Sequence, residues 1–299
     1  MRLEELRTLL NRHARPDMTT AIDGVMISKV VAPNLPSASM SGTMMALIAQ
    51  GAKRLALGDR VYEYRAGQYL VTSVDLPVTG HFIDATEAEP AIGFGLELRP
   101  ATIAQLLLQA GPGDIPRAGG AVSAIAVSDA SAELVDAIVR LVRLLDRPRD
   151  VTVLAPLVIQ EILWRLITGE QGRTVRQLGA ADSSLAHISR TVHWIRDNYR
   201  QTFQVQDLAR MSGLSVSAFH RNFQAVTAMT PIRFQKQIRL QEARLLLATR
   251  SADVAGVGYA VGYDSPSQFS REYRRQFGSP PSQDILRLHA EPKVPQMIP

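Results

Sequence analysis

Two stretches about fifty residues apart carry one pattern, and that repetition limits the fold more than anything else in the chain. In the first, Ala209 stands four before Gly213, Leu214 follows the glycine, and Ser215, Ser217, Phe219 and Arg221 alternate after it. In the second, Gly258 stands four before Gly262, Tyr263 follows, and Ser265, Ser267, Phe269 and Arg271 hold the same places. Two helices crossing near a right angle come so close that only alanine or glycine fits the contact. The turn between them calls for a positive φ, which glycine adopts without steric cost. Leu214 and Tyr263 are placed to fill the core behind each turn, and Ser215 and Ser265 to cap each second helix. Phe219 with Phe223, and Phe269 with Tyr273, lie four apart and bury one helix face. A single small-residue and glycine pair fits many helical hairpins. Two copies that share serine, phenylalanine and arginine positions read as two helix-turn-helix units.

The opposite face of each second helix then carries Ser217, His220 and Arg221 in the first unit, and Ser267, Gln268, Ser270 and Arg271 in the second. These groups suit base edges in a major groove, with arginine to guanine the strongest pairing. Pro231 can open a helix at its first turn, and Ile232 to Thr249 continues without glycine or proline. Such a rod of roughly 18 residues spans about 27 Å, enough to hold two reading helices about one turn of B-DNA apart. Lys236, Arg239, Arg274 and Arg275 are the expected phosphate contacts. Charge points the same way. From residue 180 onward there are 15 Lys/Arg against 9 Asp/Glu, whereas the preceding part holds 18 against 19. A basic segment beside a near-neutral one suits a polyanion such as double-stranded DNA. Gly256 and Gly258 each cost their helix roughly 1 kcal/mol relative to alanine, so the second unit is expected to be less rigid than the first.

The remainder of the chain has a different character. Residues 1–14 fit an amphipathic helix with Leu3, Leu6, Leu9 and Leu10 on one side. From about Thr20 to Leu98, short apolar runs alternate with turn residues such as Gly51, Gly58, Gly67, Pro77 and Gly80, the pattern of a sandwich or small barrel. Two helical stripes follow, Leu134, Ile138, Leu141, Val142 and Leu145, then Leu154, Leu157, Ile162, Leu163 and Leu166. The segment Asp146 to Asp150 breaks between them, which predicts an antiparallel hairpin that covers the barrel or also pairs with a second subunit. The glycine-rich segment around Gly169, Gly172 and Gly179 is the expected linker, a helix is expected over Ser184 to Tyr199, and the proline-containing stretch from about Glu291 is expected to be a loose tail. No run approaches roughly 18 uninterrupted apolar residues, and Met1 to Arg12 lacks the apolar core of a signal peptide. The expected location is the cytoplasm, with no membrane partner.

The residues from Val261 to Pro281 resemble, nearly throughout, the signature of the AraC/XylS family of transcription regulators, and Ile238 to Leu247 resembles its connecting helix. Gln50 to Lys53, Tyr62, Tyr64, Gly67, Tyr69 to Pro77, Leu154 to Leu157 and Glu161 to Leu166 resemble the subgroup with the AraC-type N-terminal domain. The resemblance implies an α+β chain. A cupin-like β-barrel with a helical hairpin (1–172) senses a small molecule and helps dimerisation, a linker follows (173–184), and an all-α domain of two helix-turn-helix units (185–290) binds promoter DNA. A homodimer and a contact with RNA polymerase are the further expected partners, and no cofactor is implied. For the effector pocket the residues leave two readings open. Lys53 is either a surface lysine or a group that holds an acidic or carbonyl ligand, and Tyr62, Tyr64 and Tyr69 either line a pocket or pack in the core.

An enzyme is the rival class, because barrels of this kind often hold a catalytic metal. Such sites need two or three histidines with a carboxylate, and residues 15–132 contain His81 alone. Zero cysteines exclude disulfides, thiol catalysis and thiolate metal sites. An architectural DNA binder without an effector is the third class, and it leaves roughly 170 residues ahead of the linker without a role.

Overall fold

The computed structural model describes residues 2–32, 36–111, 113–116, 124–180, 184–249 and 253–290. The stretch expected to be a tail beyond Glu291 lies outside the described residues. The chain divides into two compact units, one running through Ser189 and including Ala225 to Ala228, and one built from Arg190 to Gln224 and from Met229 through Ala290 among the described residues.

Alternation of large apolar residues makes the first unit a sandwich. Its five-stranded sheet is ordered β1-β8-β3-β6-β9 and its four-stranded sheet β2-β7-β4-β5. The strands are β1 Val25–Val30, β2 Ser37–Met40, β3 Met44–Gln50, β4 Ala52–Leu57, β5 Arg60–Arg65, β6 Gln68–Thr72, β7 Pro77–Ile83, β8 Ala91–Glu97 and β9 Ile125–Asp129. All pairings are antiparallel. In β3 every residue from Met44 to Ala49 is buried, so both faces of the larger sheet are covered. One face, carrying Ile27, Met45, Leu47, Tyr69, Val71 and Phe94, packs with helices α1 (Arg2–His13), α3 (Ala132–Arg143) and α4 (Pro148–Thr168). The other face looks onto the smaller sheet. Gly51 turns the chain from β3 into β4 at φ 79°, where a Cβ would lie 2.9 Å from that of Ala91. The helix α2 (Pro100–Gln109) completes the set.

The expected helical hairpin is formed, with a short 3-10 turn, Leu144–Asp146, between its arms. Its second stripe is divided, however. Ala155, Ile162, Leu163, Leu166 and Ile167 enter the core, whereas Leu154 and Leu157 are 41% and 58% exposed and Val153 67%. The cause is angular: at about 100° per residue, 153, 154 and 157 fall on the far side of the helix from 155, 162 and 166. By length and composition α4 is apolar enough to cross a membrane, and the residues it gives to this core account for only 28% of that apolar window. The expected linker is also different in form, because Gly172–Gly179 is a helix, α5. Gly179 sits there against the backbone of Ala104, where a Cβ would lie 2.8 Å from the amide nitrogen. The glycine spacing reflects close packing at that position rather than a free connection.

The second unit is helical: α6 (Ser184–Asp197) leads into it, followed by α7 (Val205–Met211), α8 (Val216–Thr227), α9 (Pro231–Thr249), α10 (Val254–Ala260), α11 (Pro266–Phe277) and α12 (Pro281–Ala290). The connecting helix α9 serves two cores. Its Phe234 meets Phe223 edge-on with ring centroids 5.5 Å apart. Its Leu240, Ala243 and Leu247 join Val257, Val261, Tyr263, Phe269 and Tyr273 in a separate cluster.

Candidate nucleic-acid interface and effector site

The repeated pattern becomes a repeated set of hydrogen bonds. In the first unit the amide of Gly213 donates to the Arg210 carbonyl and that of Leu214 to the Ala209 carbonyl, both at 3.0 Å. In the second, Gly262 donates to Tyr259 and Tyr263 to Gly258, again at 3.0 Å. The two turn glycines have φ of 66° and 92°, a region that only glycine enters freely. Ser215 Oγ accepts from the amide of Ala218 at 3.3 Å, and Ser265 Oγ from that of Gln268 at 3.4 Å, so both serines cap as expected. The paired aromatics pack at 5.5 Å (Phe219 and Phe223) and 5.6 Å (Phe269 and Tyr273), all four fully buried. Tyr263 is buried behind its turn, and Leu214 is half-buried.

The glycines of α10 have specific reasons. At Gly258 a Cβ would lie 3.1 Å from the Phe269 ring, so the second helix seats its aromatic directly on the first helix. The Asp253 carboxylate accepts from the amides of Ala255 and Gly256 at 3.1 and 3.0 Å and caps the helix that those glycines weaken.

Burying one face of α8 and α11 leaves the other free. Ser217, His220 and Arg221 are exposed on α8, and Ser267 and Arg271 on α11, with Gln268 and Ser270 half-buried. Arg274 and Arg275 are exposed one turn further along α11. Lys236 and Arg239 stand apart from this set. Lys236 Nζ donates to Glu272 Oε1 at 2.7 Å. Arg239, expected to meet phosphate, is buried. Its Nε donates to the Tyr199 carbonyl and its Nη1 to the Gly262 carbonyl, both at 2.6 Å, while Nη2 reaches the carbonyls of Arg200 and Gln201 at 3.1 and 3.3 Å. Its donors are spent on backbone, so Arg239 is a structural residue.

Glu272 is a residue that the pattern did not single out. Its carboxylate accepts from Lys236, from Gln268 Nε2 at 3.2 Å and from the Tyr263 hydroxyl at 2.9 Å. Burial alone would raise its pKa, but these three hydrogen bonds outweigh it and hold the carboxyl below its usual range. Glu272 thereby ties Gln268, on the exposed side of α11, to the connecting helix. Asn222 holds the equivalent place in the first unit, and this difference between the copies is the signal the sequence offered.

In the sandwich, Lys53 and Tyr64 are buried opposite one another, Cα partners in the β4–β5 register. Lys53 is also the partner of Phe82 on β7, with Nζ 4.8 Å from the ring centroid. Tyr62 shares the inner face with Tyr64 and is half-buried. Tyr69 is separated from the other three. It lies on the face of the larger sheet that packs against the helices, and burial followed by the charge of Glu170 pushes its pKa up to about 12. One step in strand parity decides between the two faces. Burial lowers the pKa of Lys53 to about 7. Among the described residues no group of three His, Asp or Glu side chains could hold a metal ion.

Two helix-turn-helix units on one connecting helix, in a chain that also carries a β-sandwich, define a two-headed DNA-binding regulator. The profile of the AraC-type transcriptional regulator N-terminus matches residues 21–174, and a helix-turn-helix domain profile matches 208–285. The chain belongs to the AraC-type transcriptional regulators. It is 28% identical over 100 residues to the HTH-type transcriptional activator RhaS of Escherichia coli strain SE11, covering 33% of this chain and 36% of that one. RhaS of Klebsiella pneumoniae strain 342 is likewise 28% identical, over 97 residues, covering 32% and 35%. The chain thus spans about a third of the length of these curated relatives. Among solved structures, an apo, singly substituted form of ToxT from Vibrio cholerae strain SCE256 is similar in fold, with a TM-score of 0.53 at 9% identity over 90% of this chain and 100% of that one.

Two outcomes follow from these placements. Arg239→Lys cannot reproduce the planar fork and leaves buried carbonyls without donors, so it lowers stability by about 2–4 kcal/mol in chemical denaturation. A phosphate contact would instead leave stability unchanged and flatten the salt dependence of DNA binding. For Lys53, the unfolded chain keeps the proton up to the ordinary value of 10.5, while the folded chain releases it near 7. Between these values the unfolded state binds more protons, and stability rises with pH by about 1.4 kcal/mol per unit. The same titration of Lys53→Met lacks that rise, and equal slopes for the two proteins would place Lys53 in water.

Proposed function

We propose that this protein regulates transcription by reading two successive major grooves of promoter DNA, under the control of a small molecule held in the sandwich. The observation that carries the reading is the repeated exposed face. Ser217, His220 and Arg221 on α8, and Ser267, Gln268, Ser270 and Arg271 on α11, make the base contacts, with Arg221 and Arg271 each on a guanine. Arg274 and Arg275 meet phosphates, and Lys236, held by Glu272, is a weaker member of that set. Residues 185–290 carry this task. Residues 1–172 carry sensing and pairing, with Lys53, Tyr62 and Tyr64 as the effector-facing groups. The working location is the cytoplasm, on the nucleoid, with RNA polymerase as the downstream partner.

A homodimer is supported by α4, which is apolar on two sides and buries one of them. Val153, Leu154 and Leu157 are exposed beside a groove of about 680 Å³ that also includes Leu9, Val158, Arg140 and Glu161. A helix with this composition calls for a second cover. Arg140 and Glu161 pair at 2.6 Å at the groove edge and give each copy both signs of charge for a two-fold partner.

Selection of bound sites from a random DNA pool tests the DNA reading. Wild type enriches two blocks about one helical turn apart. Arg221→Ala costs on the order of 1–3 kcal/mol on the preferred site and relaxes the preference at one position of one block. A uniform loss across all sequences would assign Arg221 to phosphate instead. Sedimentation of Leu157→Glu tests the pairing: the variant is monomeric at concentrations where wild type is dimeric, with unchanged helical content.

A further inference from the structure

Gln268 and Glu272 lie one turn apart on α11, and neither has a counterpart in the first unit, where Ala218 and Asn222 hold the matching places on α8. Gln268 Nε2 donates to Glu272 Oε1 at 3.2 Å, and among the described residues this is the single hydrogen bond that the Gln268 side chain makes. The same carboxylate is held from two other sides, by Lys236 Nζ of α9 at 2.7 Å and by the Tyr263 hydroxyl behind the turn at 2.9 Å. Those bonds keep it ionised at working pH. An ionised carboxylate accepts hydrogen bonds and donates none, so it takes the NH2 end of Gln268 and repels the carbonyl end. A free glutamine leaves the orientation of its amide open, whereas here the protein has made the choice. What remains for a partner is the carbonyl oxygen and the second N–H beside it.

We propose that Glu272 determines which base Gln268 reads, and that the base is adenine. This rests on the reading of α11 as a base-contacting helix. In the major groove adenine offers its N6 amino donor beside the N7 acceptor, the complement of a carbonyl oxygen and an N–H held side by side. Guanine shows two acceptors, O6 and N7, and thymine shows the acceptor O4, so each would set a lone pair against the fixed carbonyl oxygen. Cytosine satisfies that oxygen through its N4 donor but leaves the N–H unused, which makes it second best. Without the carboxylate the amide is free to turn over and present its NH2 end to guanine or thymine. Glu272 is thus a positioning residue that acts through Gln268, and the first unit, with alanine and asparagine at these places, has no such device.

The test uses full-length protein and the duplex that wild type selects from the random pool, together with duplexes carrying each other base at every position of the two blocks. Affinities are measured for wild type, Gln268→Ala and the isosteric Glu272→Gln. Gln268→Ala levels the preference at one position and so marks the base that Gln268 reads. Wild type prefers adenine there by about tenfold or more over guanine and thymine. Glu272→Gln shrinks that preference to about threefold or less at the same position, while preferences elsewhere and the Tm stay as in wild type. An adenine preference undiminished in Glu272→Gln overturns the proposal, as does a wild-type preference for guanine or thymine at the marked position. Weaker binding to all four bases alike, with a lower Tm, also overturns it and makes Glu272 a brace between α9 and α11. If Gln268→Ala changes no position, the base-reading role of Gln268 fails first and the inference falls with it.

Discussion

The guanidinium of Arg239 is the interaction on which the helical unit depends. It sits in the middle of α9, and its donors bind the carbonyls of residues 199–201, just ahead of the first helix-turn-helix, and of Gly262, in the turn of the second. Gly262 has no side chain because none would fit: a Cβ there would lie 2.5 Å from the Arg200 carbonyl oxygen and 3.0 Å from Cζ of Arg239 itself. One charged plane therefore satisfies carbonyls from two segments far apart in sequence. Such groups would cost a great deal if buried unpaired. Gln235, one turn earlier, donates to the carbonyls of Tyr199 and Gln201 and extends the same seam. At the other end of α9, Arg244 pairs with Asp284 at 2.9 Å, and the Tyr273 hydroxyl donates to the same carboxylate, which fastens α12.

The two copies of the helix-turn-helix share their turns and differ in their anchorage. Backbone bonds, serine caps and paired aromatics recur position by position, because they answer the same steric problem. What differs is the third side of α11. Glu272 gathers Lys236, Gln268 and Tyr263 there, whereas Asn222 follows Arg221 in the first copy. Sharing Gln268 between a carboxylate and the outer face fixes its rotamer and reduces the freedom it has to choose among partners. The glycines of α10, costly by propensity, are offset by the Asp253 cap and used by the Phe269 ring.

Much of this was legible in the sequence because it depends on local rules. Turn glycines, capping serines and aromatic spacing are set by a few neighbouring residues, and the strands and helical hairpin by simple periods. The errors arose where a tertiary partner decides. Arg239 looks like any basic residue on a helix, and only the carbonyls folded against it make it structural. Tyr69 and Tyr64 read alike, yet they lie in different sheets, and strand parity sends Tyr69 to the helices and Tyr64 to Lys53. Leu154 and Leu157 looked continuous with Ile162 and Leu166, but the angle around α4 separates them. Glycines near Gly172 suggested a free connection, and packing against Ala104 explains the last of them.

Because α9 gives Phe234 to one core and Leu240, Ala243 and Leu247 to the other, its length is a mechanical phase as well as a spacer. One residue inserted between Phe234 and Leu240 would rotate the second unit by about 100° about the helix axis and carry it forward by about 1.5 Å. The Arg239 fork would then point away from one of its two targets. Gradual drift in separation is therefore closed to this architecture. Descendants of such a chain can change which bases each head prefers, side chain by side chain, while the pitch between the heads is inherited unchanged.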